Sequence, residues 1–417
     1  MPQSEMHPEQ SEPSPWLNPR FRWFAAGNTF NNIGDGVEAA LIPLLIYAET
    51  SSVTWMGIAA ALTPGTLLLG PVMGSVADKY GSARLVVGGL GMQLVAASLL
   101  AWMVTADKFQ IGLFFALAGI LQVAGSVYRV GWMSSVPELF PGSPVRARGT
   151  LSSLFVATTI AGPLVVAALL PVVGYGGLLW LNCTTYVAPV LVYFAGVRPA
   201  RRQGDGGSSL AMVIDGFKTG FVVFWGHRQF RLLTLILLPY EFVGSAAMPT
   251  LAVYHLRDSL TVPAATVATI IAVLNGAALM GSLWVSERRV FNPGRVVGVV
   301  TVGAALALFG ASMSSVVIVV GSLTLLMALD GAAGATHSMT VVKFVPHEVF
   351  GRTSGVVRLI HGVPAVTGPL VIAAVVPVIG TGYAFLALAG IAVASAVAFF
   401  AAGDLLERSS KNGVVSG

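Results

Sequence analysis

Charged side chains are scarce in this sequence. They make up 10% of its 417 residues, whereas 55% of the residues are hydrophobic. Soluble globular domains carry about 25% charged residues, so the composition excludes an ordinary soluble fold and predicts a membrane protein. Glycine is abundant by contrast, with 48 residues, which suits the close helix packing that small residues allow in lipid.

Cysteine and catalytic motifs are also lacking. Cys183 is the sole cysteine, which excludes an internal disulfide framework and a thiol redox pair. No G-x-x-x-x-G-K-[ST] motif occurs, which excludes ATP hydrolysis by that route. No cluster of metal ligands and no Ser/His/Asp arrangement is present, so we expect neither an enzyme nor a metal or cofactor. The positive charges lie in short loops between hydrophobic runs, so nucleic acid is not an expected partner.

Long hydrophobic runs fill the rest of the chain. A spanning helix needs roughly 20 mostly apolar residues, and twelve segments qualify. They are centred on residues 22–47, 54–76, 85–105, 110–133, 149–171, 177–196, 230–253, 263–285, 296–313, 315–341, 354–377 and 382–402. The sequence therefore predicts an all-α polytopic membrane protein with twelve transmembrane helices.

The charges of the loops predict the orientation of these spans. Lys and Arg are concentrated in the loops on one side, and the opposite loops hold only Lys108 and Arg257. Because positively charged loops remain on the cytoplasmic side, we expect both termini to be cytoplasmic. The expected location is the inner (cytoplasmic) membrane of the cell.

The longest loop divides the chain into two parts. We predict five regions: a disordered cytoplasmic N-terminus (1–19), a six-helix half (20–196), a cytoplasmic linker (197–229), a second six-helix half (230–403) and a cytoplasmic tail (404–417). Apolar residues recur at helical spacing in the later part of the linker, which predicts an amphipathic helix on the membrane surface. A connector without a role in transport is the alternative.

An internal repeat relates the two predicted halves. Residues 162–176 are GPLVVAALLPVVGYG and residues 368–382 are GPLVIAAVVPVIGTG, with ten identities in fifteen positions at a shift of 206. Parallel repeats of this kind place a binding site at their interface near the middle of the membrane.

The segment GSVADKYGSAR (74–84) follows the second predicted span. It resembles the loop signature of the major facilitator superfamily, with matches at Gly74, Asp78, Lys79, Gly81 and Arg84, although the usually basic position 82 is serine. The resemblance implies a transporter with two six-helix halves and a conformational latch formed by this loop on the cytoplasmic side. Charges that only fix the topology are the alternative.

Three further segments narrow the resemblance. They are NNIGDGVEAALIP (31–43), SSVPELFPG (134–142) and VPHEVFGRTSGV (345–356). These resemble the branch that contains macrolide-efflux proteins, actinobacterial multidrug pumps and the enterobactin exporter, which implies efflux of an antibiotic-like compound.

The glycine-proline steps of the repeat are predicted helix-packing positions. Gly162 and Pro163 resemble the core of the antiporter motif, but Thr158 stands where a glycine is expected. The equivalent step in the second half is Gly368 and Pro369.

The first predicted span contains a polar stripe. At 100° per residue, Asn28, Asn31, Asp35 and Glu38 fall within roughly 80° of one another, and Asn32 lies beside them. A carboxylate at the centre of a membrane helix costs at least about 2.5–3.5 kcal/mol to insert, so the stripe must face the interior of the bundle or a water-filled cavity. We predict proton coupling by the two acids, with a position near the outer mouth as the alternative for Glu38. The asparagines are candidate substrate contacts.

The seventh predicted span has an equivalent acid. Glu241 falls opposite Asp35 at the shift of 206, and Tyr240 beside it is a candidate substrate contact. An ion pair of Glu241 with Arg129 or Arg358 is the alternative to proton coupling.

Two further spans contribute polar residues. Asp330 shares one side of the tenth span with Gly334 and His337, which predicts a proton-relay stripe; simple packing is the alternative for His337 and for His361. In the fourth span, Arg129 is either part of the charge relay and latch or extends to the cytoplasmic edge.

These features predict a secondary active transporter. The expected function is proton-coupled efflux of a small amphipathic compound by alternating access. The expected partners are this substrate, protons and the lipid bilayer, and the expected state is monomeric. The alternatives are a siderophore or dedicated metabolite exporter, uptake by symport, and a non-transporting membrane sensor or scaffold on a transporter fold.

Overall fold

The computed structural model describes residues 12–66, 82–197, 210–287, 293–345 and 349–412. The first set of helices comprises α1 (Pro19–Thr50), α2 (Val53–Gly65), α3 (Ser82–Thr105), α4 (Ile111–Leu139), α5 (Pro144–Thr185) and α6 (Val187–Phe194). The second set follows α7 (Leu210–Gly226) and comprises α8 (Arg228–Ala246), α9 (Ala264–Ser286), α10 (Pro293–Ala311), α11 (Val316–Phe344), α12 (Phe350–Ile379) and α13 (Thr381–Asn412). α8 continues through Ser259 in short π- and α-helical turns.

Eight helical segments of the described chain are long and apolar enough to cross a membrane. One of them, Pro144–Phe194, contains two predicted spans, and Val296–Ala311 is a shorter apolar helix. α1 falls outside the eight because its polar stripe lowers its hydropathy, and the second predicted span extends beyond α2 into residues outside the described ranges. The predicted all-helical membrane fold is confirmed.

The structure describes part of each predicted terminal region. Pro15–Leu17 form a 3-10 helix before α1, and the ring of Trp16 packs edge-on against Phe21 at 5.2 Å. This short helix lies within the region 1–19 predicted to be disordered; residues 1–11 lie outside the described ranges, and the predicted boundaries of the region stay a prediction. At the other end α13 continues to Asn412, so the predicted tail begins as helix.

Two equivalent glycines reverse the chain between neighbouring spans. Gly174 interrupts α5 with φ 65°, and Gly380 ends α12 with φ 81°. Their positions differ by the repeat shift of 206. A positive φ is accessible to glycine and unfavourable for other residues, which explains why both repeat segments place glycine at this turn.

The glycine-proline steps lie at close helix contacts. A Cβ atom on Gly162 would collide with the backbone of Gly36 in α1, and one on Gly368 would collide with Ser245 and lie 3.1 Å from the carbonyl oxygen of Phe242. Phe242 is the repeat equivalent of Gly36. The repeat is therefore visible in the packing of α5 on α1 and of α12 on α8.

α7 is helical over most of the predicted amphipathic segment. One face carries exposed aromatic rings, with Phe221 stacked on Trp225 at 5.6 Å. On the adjoining side of the helix, the buried ring of Phe224 lies edge-on against Phe230 of α8 at 5.4 Å. The helix thus has one side packed on the bundle and one apolar side unpacked; its position on a membrane surface remains a prediction.

The two sets of helices meet at the end of the bundle that contains the turns at Ser51, Leu260 and Gly380, which we name the Ser51 end. The hydroxyl group of Tyr47 donates to Asp258 at 3.4 Å, and the guanidinium of Arg257 lies 5.2 Å from the centre of the Tyr47 ring. The hydroxyl group of Thr54 donates to the carbonyl oxygen of Ala373 at 3.0 Å. These contacts join α1 and α2 to the second set.

Gly57 makes the tightest approach of α2 to α12, and we predict that filling it opens this end. A Cβ at position 57 would meet the side chain of Ala373 at 2.7 Å, so Gly57→Leu is expected to force the helices apart. The readout is labelling of an introduced Ala373→Cys by a water-soluble maleimide, with Cys183 replaced by alanine. Its rate should rise severalfold, because Ala373 is 5% exposed in the contact.

Gly65→Leu is the matched control, because this glycine lies on the same helix and a Cβ there meets nothing within 4 Å. Equal labelling in the two variants would show that the Gly57 contact does not hold the Ser51 end closed.

Candidate functional site

The first acid of the α1 stripe forms an ion pair. Oδ2 of Asp35 lies 3.7 Å from Nη2 of Arg129 in α4, and the two side chains are 26% and 63% exposed. Arg129 also lies over the ring of Phe155 in α5 at 5.8 Å. Arg129 is therefore in contact with α1 and α5 of the first set of helices, and its part in the charge relay and latch remains a prediction.

The second acid of the stripe is buried and surrounded by neutral donors. Glu38 is 8% exposed, which differs from a position at an open outer mouth. Its Oε1 accepts from the amide of Gln122 at 3.0 Å, and its Oε2 accepts from the amide of Asn182 at 3.3 Å and the hydroxyl of Tyr186 at 3.2 Å. No cation lies within ion-pair distance of this carboxyl group in the described part of the chain. We name these four residues the Glu38 network.

The network is suited to a group that gains and loses a proton. A charged carboxylate accepts from all three partners, whereas a protonated carboxyl needs one acceptor. The hydroxyl group of Tyr186 can donate or accept by rotating, so it can serve either state. The arrangement therefore accommodates Glu38 with or without a proton and without a large rearrangement.

The asparagines of the stripe point into the bundle. Asn28, Asn31 and Asn32 are 7%, 0% and 8% exposed, so the predicted inward orientation is observed. The amide of Asn31 has no hydrogen-bond partner among the described residues. An unsatisfied buried amide is unfavourable, so Asn31 is available to a ligand or water if the conformation changes. Substrate contact by these residues remains a prediction.

The acid of α8 pairs with a histidine rather than with an arginine. Oε1 of Glu241 lies 3.2 Å from Nδ1 of His361 in α12. The ring of His361 lies 4.5 Å from that of His337 in α11, and Nε2 of His337 lies 3.4 Å from the hydroxyl group of Thr234. The neighbour that approaches Glu241 is thus His361 rather than either arginine named from the sequence, and Arg129 pairs with Asp35 instead. Proton coupling by Glu241 remains a prediction.

Asp330 is separated from the histidines of this cluster. It lines a cavity of about 250 Å³ together with Glu241, Gly244, Ser245, Met248, Leu326 and Met327. His337, about two helical turns further along the same predicted stripe, instead contacts His361 and Thr234. The stripe of α11 therefore faces two different sets of residues: Asp330 lines the cavity beside Glu241, and His337 contacts His361 and Thr234.

Tyr240 is enclosed by the protein in this conformation. Its side chain is 1% exposed, and its hydroxyl group has no hydrogen-bond partner among the described residues. Direct substrate contact therefore requires that the packing around Tyr240 opens, and this role remains a prediction.

The predicted latch falls mostly outside the described residues. Gly74, Asp78, Lys79 and Gly81 lie in the segment 67–81, which the structure does not describe. Arg84 is described and its side chain is exposed near the start of α3. The latch role of this loop therefore remains a prediction.

Sequence reasoning did not identify two residues of the Glu38 network, and it considered His361 without pairing it with Glu241. Asn182 and Tyr186 belong to the Glu38 network, and His361 is the partner of Glu241. The available signal for the first two is their spacing of four residues within an apolar span, which places polar groups on one helix face.

An all-helical polytopic bundle that holds carboxyl groups in its interior is the architecture of a membrane transporter. Residues 24–364 match the Major Facilitator Superfamily, and the chain belongs to this superfamily. It is therefore a multi-pass membrane transporter rather than an enzyme. No curated protein sequence matches the chain significantly.

Solved structures with the same fold transport different compounds. A mutant of the nucleoside transporter NupG has a TM-score of 0.71 at 14% identity, covering 92% of this chain and 99% of its own. A bacterial homologue of the human lysosomal transporter Spinster, in an inward-facing and unoccupied conformation, has a TM-score of 0.72 at 14% identity. The match covers 95% of this chain and 98% of the homologue. A bacterial homologue of the iron transporter ferroportin has a TM-score of 0.65 at 14% identity, and the match covers 91% of this chain and 96% of the homologue. This similarity shows the fold alone.

Proposed function

We propose that this transporter exports a small amphipathic compound in exchange for protons. The observation that supports the exchange is the Glu38 network, in which a buried carboxyl group has only neutral partners. A buried carboxylate without a cation is costly in a membrane, and intramembrane acids of this kind mark proton relays and substrate pathways. A purely structural role would be served as well by an amide at this position.

The Asp35–Arg129 ion pair adds a route by which a proton changes the structure. Protonation of Asp35 removes the charge that attracts Arg129, so the contact between α1 and α4 weakens. Because Asp35 and Glu38 lie one turn apart on α1, both respond to the same rearrangement of this helix. We infer that proton uptake by these acids and movement of α1 are coupled.

The contacts between the helix sets support a specific direction of opening. The loop charges predict that the Ser51 end faces away from the cytoplasm, so the contacts of Tyr47 and Thr54 would close the outer side. We propose that the described conformation is closed to the outside, that both termini are cytoplasmic, and that the chain works as a monomer in the cytoplasmic membrane. The predicted latch, the loop 74–84, would then act on the cytoplasmic side.

The test uses everted membrane vesicles that contain the protein and a fluorescent pH reporter. A respiration-driven proton gradient is challenged with macrolides, tetracyclines, phenicols, cationic dyes and a catecholate siderophore. We expect at least one compound to discharge the gradient with the native chain. Asp35→Asn should remove this discharge, because it cannot bind a proton and loses the charge that pairs with Arg129.

Asp107→Asn is the matched control, since Asp107 is exposed in the loop between α3 and α4. With this variant, the same compound should discharge the gradient to the same extent as with the native chain. Discharge that persists in Asp35→Asn would show that Asp35 is not needed for coupling. Discharge by the siderophore alone would favour the dedicated exporter, and no discharge by any compound would contradict proton-coupled export of this class.

A further inference from the structure

The cavity between α8 and α11 has polar groups that accept hydrogen bonds and few that donate them. Asp330 and Glu241 contribute carboxyl groups from the two helices. The hydroxyl group of Ser245 is close to the carbonyl oxygens of Phe242 and Pro364, at 3.0 and 2.8 Å. Its proton is therefore used within the protein, and the hydroxyl group can meet a ligand only as an acceptor.

The two carboxyl groups differ in how they are already engaged. Glu241 lies 3.2 Å from a ring nitrogen of His361. Asp330 has no hydrogen bond or ion pair to any other residue in the described part of the chain, although it lies within a helical bundle. A carboxylate in such a place requires a positively charged or donating partner, and the protein itself supplies none there.

A second polar group near the cavity is also without a partner. The hydroxyl group of Tyr240 is enclosed, has no hydrogen-bond partner among the described residues, and lies close enough to Asp330 and Glu241 to interact with both electrostatically. Tyr240 does not line the cavity itself, so its hydroxyl group could meet a ligand there only after the surrounding packing opens, and the carboxyl group of Asp330 is the group that a ligand meets first.

The remaining wall of the cavity is apolar and adaptable. Met248, Leu326 and Met327 line it, and methionine side chains adjust to ligands of different shape. Gly244 keeps space beside the acid, because a Cβ at this position would lie 3.2 Å from Oδ1 of Asp330. The lining therefore combines a negative, accepting end with a flexible hydrophobic surface.

We propose that this cavity binds the protonated amine of an amphipathic substrate, with the ammonium group on Asp330 and the apolar body on the methionine wall. The proposal rests on the proposed export function and specifies its substrate class as organic cations. An ammonium group donates hydrogen bonds and supplies the positive charge that no described residue places next to Asp330. An anion would be repelled by both carboxylates. A volume of about 250 Å³ fits the amine and a short apolar segment, so a larger substrate would extend beyond it.

The charged surroundings of Asp330 are consistent with this specificity. Glu241 faces it from α8, His361 faces Glu241 from α12, and His337 lies next to His361 on α11. Arg129, the cation of the first site, is paired with Asp35. The proton and the ammonium group would compete for Asp330, which supplies a direct reason for exchange of one for the other.

The test compares three probes with one apolar body and different head groups. These are 4-phenylbutylamine, 4-phenylbutan-1-ol and 4-phenylbutyrate, and calorimetry measures their binding to the purified full-length protein in detergent above neutral pH. We expect the amine to bind about 10- to 100-fold more tightly than the alcohol, in line with a charge-assisted hydrogen bond. We expect no binding of the carboxylate.

Two variants separate loss of the charge from loss of the space. Asp330→Asn should reduce the affinity for the amine to that for the alcohol and leave the alcohol unchanged. Gly244→Val keeps the charge but fills the cavity, so it should weaken both probes. Asp107→Asn should bind as the native protein does, and thermal unfolding of each variant without probe verifies that it is folded.

Equal affinity for amine and alcohol, or an unchanged affinity of Asp330→Asn for the amine, would overturn the proposal. Absence of amine binding to the folded native protein would overturn it as well. The export function is judged separately by the vesicle experiment: discharge of the proton gradient by uncharged compounds, together with no preference for the amine, would retain export and reject the organic-cation site.

Discussion

Glu38→Gln is expected to abolish substrate-driven proton release and to leave the protein folded. Glutamine has nearly the same shape as glutamic acid but cannot exchange a proton. Its oxygen can accept from one of the three present donors, and its amide can donate to Tyr186, whose hydroxyl group rotates to accept. The change therefore costs no more than about 1.5 kcal/mol through imperfect hydrogen bonds.

The measurement combines two assays on the same variant. In everted vesicles, the compound that discharges the gradient with the native chain should give no discharge with Glu38→Gln. The melting temperature in detergent should fall by no more than about 6 °C, at roughly 2–4 °C per kcal/mol for a domain of this size. Binding of the same compound to the purified variant should persist, since the loss concerns the proton.

Glu49→Gln is the control, because Glu49 lies on the same helix but its side chain is exposed near the end of α1. It should behave like the native chain in both assays. Undiminished proton release by Glu38→Gln would exclude Glu38 as a coupling residue and leave the network a structural contact.

The inward orientation of the α1 stripe could be predicted from sequence because it depends on one helix. The angular spacing of Asn28, Asn31 and Glu38 fixes a common face, and the cost of placing acids in lipid decides where that face points. The structure buries all three. A regular helix and one energetic rule were sufficient for this feature.

The partners of Glu38 could not be predicted in the same way. Asn182 and Tyr186 follow it by 144 and 148 residues, and their contact depends on how α5 packs on α1. That packing is close at Gly34 of α1, where an added Cβ would collide with the side chains of Asn182 and Thr185. A pattern within one span does not specify which neighbouring helix it meets or at which height.

The second acid site shows where the repeat ceases to be a guide. The backbone contacts of Gly162 and Gly368 follow the shift of 206, and so do the turns at Gly174 and Gly380. The side chains do not: Asp35 pairs with an arginine, whereas its equivalent Glu241 pairs with His361. Helix packing is thus preserved between the repeats, whereas the partners of the acids differ. Only the helix packing could be inferred from the repeat.

This divergence assigns different tasks to the two sets of helices. The first set holds a carboxyl group in a neutral network that suits proton exchange. The second holds a carboxyl group without a partner beside a cavity, which suits a cation. Each task requires its helices to stay in register, and the strongest constraint on that register in the second set is the contact between α9 and α11.

Replacing Gly281 or Gly331 by alanine is expected to destabilise the protein strongly. A Cβ on Gly281 would overlap the carbonyl oxygen of Ala328, and a Cβ on Gly331 would overlap that of Ala278. The obstacle in both cases is backbone, which cannot rotate away, so α9 and α11 must separate. Overpacking of this kind typically costs about 1–3 kcal/mol, or a fall in melting temperature of roughly 2–12 °C.

Two glycines on the same helices provide the comparison. A Cβ on Gly276 of α9 or on Gly334 of α11 meets nothing within 4 Å, so alanine there should preserve the melting temperature or raise it through its higher helix propensity, worth up to about 1 kcal/mol. Asp330 lies one residue before Gly331, so separation of the helices should also displace this acid and weaken amine binding in Gly331→Ala. Melting temperatures that are equal in all four variants would show that α9 and α11 are not held at this distance, and the geometry proposed for the cation site would then lose its support.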